Sequence, residues 1–113
     1  MNQNKIIGIG LALLNTILLL FCIVRYMQAD RTAPKFLLEA RYIIYSPDMD
    51  MTELVQGITA NDNRDGDVTD RIVIEKITEK KKEQTAVVYY AVSDRSGNVT
   101  KISKLFHAEY PEP

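Results

Sequence analysis

Residues 85–98 read Thr85-Ala86-Val87-Val88-Tyr89-Tyr90-Ala91-Val92-Ser93-Asp94-Arg95-Ser96-Gly97-Asn98. The first nine residues combine β-branched and aromatic side chains with small ones and contain neither proline nor glycine, which is the composition of a strand. With a period of two, Ala86, Val88, Tyr90 and Val92 share one face, and Thr85, Val87, Tyr89 and Ala91 share the other. Asp94 to Asn98 then form a tight turn, because glycine and asparagine accept positive φ at low cost and aspartate bonds its own following amides. A returning strand is expected over Val99 to Ala108.

Working outward, the sequence before residue 85 repeats this grammar. Residues 71–77 alternate Ile72, Ile74 and Lys76 against Val73, Glu75 and Ile77, another period of two. Residues 79–84 (EKKKEQ) form a charged hairpin or loop. Its three lysines are flanked by acids and lack interleaved aromatics, so the run is a solvated turn and not a nucleic-acid patch. Phe36 to Tyr45 predicts a strand broken near Glu39-Ala40. Residues 48–55 suit one helical turn capped by Asp50 or Thr52, and residues 57–61 a short strand. Short strands punctuated by turn residues indicate a sandwich or barrel. The expected class is all-β, an Ig-like β-sandwich behind one N-terminal transmembrane helix.

The N-terminal quarter differs in kind. Residues 6–24 (IIGIGLALLNTILLLFCIV) carry no charge. As a helix they extend about 28 Å, close to the hydrocarbon thickness of a bilayer. Lys5 bounds one end, and Arg25 with Tyr26 bounds the other. A run apolar on every face cannot be covered by so small a remainder. A cleaved signal is the competing reading, but Met27 stands where a small residue is needed in Met27-Gln28-Ala29. A lipoprotein signal fails because Phe21 precedes Cys22. The expected organisation is an anchor over residues 1–27, a polar linker over 28–35 ending near Pro34, and the β-domain over 36–113, with membrane lipid contacted through 6–24.

Bulk composition narrows the function. The chain has 113 residues, 14 basic and 15 acidic, so no net field draws it to nucleic acid. Its one cysteine lies in the apolar run and it has no tryptophan, which excludes an antibody-type disulfide core.

Two motifs are more specific than periodicity. Residues 60–72 fit A-x-D-x-x-D-G-D-V-T-x-x-I through Ala60, Asp62, Asp65, Gly66, Asp67, Val68, Thr69 and Ile72. Residues 88–98 fit V-x-Y-x-V-x-D-x-x-G-N through Val88, Tyr90, Val92, Asp94, Gly97 and Asn98. In this order the pair resembles the bacterial Ig-like domain family first described in a pesticidal crystal protein, which recurs in surface proteins. The resemblance covers roughly residues 34–108. It implies a surface module that contacts cell wall or a protein partner. The chain departs from the family in having Glu83-Gln84-Thr85 where a glycine is usual, and in having one copy where repeats are common.

The residues themselves account for the motifs. Gly66 takes a backbone angle that a Cβ would resist, Asp65 and Asp67 bond neighbouring amides, and Val68 and Ile72 enter the core. Tyr90 is buried with its hydroxyl seeking a partner. Asp94 accepts amides across its turn.

Site chemistry is sparse. From Asn61 the spacing echoes an EF-hand loop, with Gly66 sixth, but the bidentate glutamate of the twelfth place is Ile72, so an EF-hand is rejected. A different calcium site drawn from Asp62, Asp65, Asp67 and Asp70 is the remaining metal alternative. His107 is the only histidine, too few for a usual zinc site or a hydrolytic triad. The expectation is a protein without catalytic residues or cofactor, acting as a cell-surface interaction or adhesion module. The alternatives are a structural spacer or assembly subunit of a membrane complex, and a calcium-responsive surface domain.

Topology draws opposite answers. Arg25, Arg31, Lys35 and Arg41 outnumber Lys5, which by the positive-inside rule holds the β-domain in the cytoplasm. A short, weakly basic N-terminus before an apolar run has the form of an export signal, and the family resemblance agrees. The expectation is a single-pass cell-membrane protein with its C-terminal domain outside the cytoplasm.

Overall fold

A computed structural model describes residues 2–112. The chain divides into two compact units, one ending at Asp30 and the other beginning at Arg31.

The first unit is a single helix, α1, Gln3–Gln28, capped by Asn2, whose side chain accepts from the Asn4 amide. None of its residues is buried, and its apolar side chains lie open around the whole circumference. The helix is long and apolar enough to cross a membrane. Thr16 returns its hydroxyl to the Ala12 carbonyl at 2.9 Å, which satisfies that polar group inside an apolar run.

The second unit contains seven strands in two sheets: β1 (Lys35–Leu38), β2 (Ile44–Tyr45), β3 (Ile58–Asp62), β4 (Gly66–Asp67), β5 (Val73–Lys80), β6 (Thr85–Ser93) and β7 (Val99–Ala108). The first sheet has the order β1-β3-β4 and the second β2-β7-β6-β5. All pairings are antiparallel except β2 with β7. Phe36 and Ile58 from the first sheet pack with Val88, Tyr90 and Phe106 from the second, so one core joins them. Together with α1 and three short 3-10 turns, this makes the chain a mixed helix and β structure. The all-β expectation therefore holds for the second unit only.

Residues 28–35 do more than link. Pro34 is fully buried, its carbonyl accepts the Thr100 hydroxyl at 2.5 Å, and Lys35 already belongs to β1. The strand broken at Glu39-Ala40 becomes β1 and β2. The helical turn at Met51–Val55 is capped by Asp50, which accepts from the Thr52 amide at 3.0 Å.

One parity expectation is corrected. Ile74 and Ile77 lie on opposite faces in a regular strand, yet both pack on the core, opposite Tyr90 and Val88. A bulge between Ile74 and Lys76 inserts one residue and resets the alternation. Beyond it β5 runs on through Lys80. The hairpin then closes at Lys81–Glu83, with Gln84 in the left-handed region at φ 53°.

Strand β6 is the axis of the second sheet, hydrogen-bonded on both sides. Its inward set is Ala86, Val88, Tyr90 and Val92, each at most 1% exposed. Tyr89 on the outward face is 38% exposed.

Candidate functional site

The two motifs meet at one end of the β-domain. Ala60 and Asp62 are inward residues of β3, and Gly66 with Asp67 forms β4. Gly66 has φ 75° with nothing near its missing Cβ, so backbone angle alone demands glycine there. Asp62 accepts the amides of Arg64 at 3.1 Å and Asp65 at 3.0 Å through one oxygen, Oδ2. Asp67 accepts the Thr69 amide at 2.9 Å together with its hydroxyl, and these bonds hold the Asp67 carboxyl below the usual carboxylate range. The same hydroxyl accepts the Ala60 amide at 3.1 Å. Val68 is buried beside Ala60 and Val92, and Ile72 packs against them.

The second motif is held similarly. Asp94 Oδ1 accepts the amides of Ser96 and Asn98 at 2.9 Å each, and Oδ2 accepts Asn98 Nδ2 at 2.9 Å. Gly97 takes φ 88°, while Asn98 keeps an ordinary negative φ and serves as a side-chain donor. The Tyr90 hydroxyl donates to the Leu54 carbonyl at 2.6 Å, and burial pushes its pKa up to about 12.

Two ties between the motifs have no local signal in the sequence. Asp65 Oδ2 accepts the Arg95 amide at 2.7 Å, across the domain end and not from a neighbour in its own loop. Arg71 Nε donates to the Ser93 carbonyl at 2.7 Å, and its Nη2 reaches the Asp94 carbonyl at 3.3 Å. A guanidinium suits this role because its rigid fork serves two acceptors at once.

The calcium candidates therefore do not converge. Asp65 is committed to Arg95, Asp67 to Thr69, and Asp70 is exposed. Asp62 alone is buried. His107 is exposed on β7, its ring 6.4 Å from that of Tyr42.

The open face of the second sheet is the other candidate surface. The Lys76 ammonium lies 5.6 Å from the centre of the Tyr89 ring, and Lys101 Nζ pairs with Glu75 Oε2 at 3.3 Å. Glu75, Lys76, Tyr89, Lys101 and Ser103 line a shallow cleft of about 380 Å³. Beside it, Leu105 stands opposite Val87 in register and is 63% exposed. An aromatic ring flanked by charged side chains on a sheet face is suited to binding.

No family model matches this chain, and no curated protein matches it. Two solved structures do, both from Clostridium perfringens ZmpB. One contains CBM51-2 in complex with GlcNAc and INT domains, at 26% identity, with a TM-score of 0.49 over 68% of this chain and 17% of that one. The other contains the M60 catalytic domain with CBM51-1 and CBM51-2, at 25% identity, with a TM-score of 0.50 over 71% of this chain and 8% of that one. The chain thus spans a small part of either protein. The second likeness concerns the fold of one module among several: a chain with an apolar N-terminal helix and a β-domain similar to part of a multidomain protein that carries carbohydrate-binding modules.

Proposed function

We propose that this chain is a membrane-anchored, non-catalytic Ig-like module that displays its β-domain outside the cytoplasm and contacts a cell-surface component. The observation that carries this reading is α1. It is a 26-residue helix with no residue buried, in a chain whose β-domain has a core built from its own residues. So much apolar surface in water costs far more than a domain of this size recovers by folding, and lipid removes the cost.

The resemblance to the bacterial Ig-like family supports the module. Its motif residues act here as turn and core residues, a role in keeping with a binding module. The neighbour that carries CBM51 modules favours a carbohydrate-rich partner, and the outward face around Tyr89 offers the contact surface. Saccharides stack their C–H faces on exposed aromatic rings, and the Glu75–Lys101 pair supplies polar partners at the rim.

The test uses the full chain in detergent micelles, sedimented with isolated cell-wall material. Retention that falls several-fold in Tyr89→Ser and Leu105→Ser, with melting midpoints unchanged, is expected. Equal retention of both variants contradicts the assignment of this face.

A further inference from the structure

We propose that Asp62 and Asp94 form a calcium site at the end of the β-domain where the two motifs meet. Asp62 closes β3 and Asp94 follows β6, so the two come from different sheets. They are 5% and 1% exposed, respectively. Each presents a carboxylate oxygen within 4.8 Å of the other's. Calcium binds oxygen at 2.3–2.6 Å, so two oxygens on one ion lie at most about 5 Å apart, and this pair falls within that reach.

The state of Asp62 points to a ligand independently. Its Oδ2 takes both loop amides, while its Oδ1 is buried and accepts no hydrogen bond. Among the described residues no lysine or arginine is ion-paired with Asp62. A buried carboxylate oxygen with no hydrogen-bond partner, on a side chain close to a second buried carboxylate, is costly to bury and would be satisfied by a cation.

The donor set selects the ion. Only oxygens are presented, which suits a hard cation and excludes the soft ones that favour sulfur. Calcium tolerates irregular coordination, whereas magnesium requires near-octahedral coordination at about 2.0–2.1 Å, so carboxylates brought together from two different sheets suit calcium better. A cleft of about 250 Å³ lined by Thr32, Ala33, Lys35, Asn61, Asp62 and Asn63 lies beside Asp62. Lys35 is exposed there and remains in solvent.

The site differs from the acidic loop that the sequence suggests. It keeps Asp62, leaves Asp65, Asp67 and Asp70 to their turn bonds or to solvent, and recruits Asp94 from the second motif, whose oxygens also accept from Ser96 and Asn98 and would share their lone pairs with the ion. A site of few carboxylates belongs in the affinity range of extracellular modules, about 10⁻⁴–10⁻³ M. An ion bridging β3 to the end of β6 locks the two motifs together, so calcium concentration sets how rigid this end of the domain is.

The test titrates calcium chloride into the full chain in detergent after removal of divalent ions. Saturable one-to-one binding in the range above is expected, with a melting midpoint that rises with calcium. Magnesium should bind at least tenfold more weakly. Asp62→Asn should weaken calcium binding at least tenfold, and Asp70→Asn should leave it unchanged. Absence of saturable binding by wild type up to about 10 mM, with no rise in midpoint, overturns the site. Wild-type affinity in a folded Asp62→Asn also overturns it. Should Asp62→Asn fail to fold, the wild-type titration with its magnesium comparison decides.

Discussion

Tyr89 and Tyr90 are adjacent in β6 and have opposite roles. Tyr90 is 0% exposed, packs between the sheets and gives its hydroxyl to the Leu54 carbonyl, so it joins the central strand to the Met51–Val55 turn. Tyr89 points out beneath the Lys76 ammonium and touches none of the core. Nothing in the residue type separates them; one step along a strand of period two does. The inward face of this sheet carries stability, and the outward face is open to solvent.

The most direct way to break that comparison is to truncate each face in turn. Tyr90→Ala is expected to destabilise the domain by about 3–5 kcal/mol and Val88→Ala by about 2–4 kcal/mol, the usual cost of a cavity in a packed core. Tyr89→Ala and Val87→Ala should each cost about 1 kcal/mol or less. Denaturant melts of the four variants check this, and a reversed ranking means the two faces have been exchanged.

At the motif end, Gly66→Val and Asp65→Ala are each expected to cost about 1–3 kcal/mol. In the first, a Cβ is forced to φ 75°; in the second, the Arg95 amide loses its acceptor. Unchanged midpoints for both would mean the loop and the turn are not tied together.

A weaker effect sharpens the inward side. Burial raises the pKa of Tyr90 to about 12, and burial with the neighbouring Glu79 does the same for Tyr45. The folded state thus holds these protons more tightly than the unfolded chain, where tyrosine titrates near 10. Their contribution is intact below pH 10 and lost as pH rises toward 12. Melting midpoints should decline over that window, and Tyr90→Phe should flatten part of the decline. A midpoint independent of pH from 9 to 12 would show that neither hydroxyl is held in the core.

Much of this was legible in the sequence because alternation and turn chemistry are local. The strand over 85–93, its facing residues, the Asp50 cap and the positive φ of Gly66 and Gly97 all follow from neighbours a few positions apart. Three features did not. The bulge at Glu75 reverses the parity of Ile77 without any glycine or proline to mark it. Arg71 and Asp65 find partners that lie 22 and 30 residues away, respectively. The acidic loop supplied four equivalent aspartates by spacing, but only folding separates Asp62, turned inward, from the three occupied or exposed. In each case long-range pairing decides the outcome, and no window of sequence holds it.

The central claim is that α1 anchors the chain with its β-domain outside the cytoplasm, against the count of flanking positive charges. Protease added to intact protoplasts carrying an epitope after Pro113 tests it most directly. The account predicts that the epitope is removed while the membrane is whole. An epitope that survives until the membrane is broken places the β-domain in the cytoplasm and contradicts the surface role.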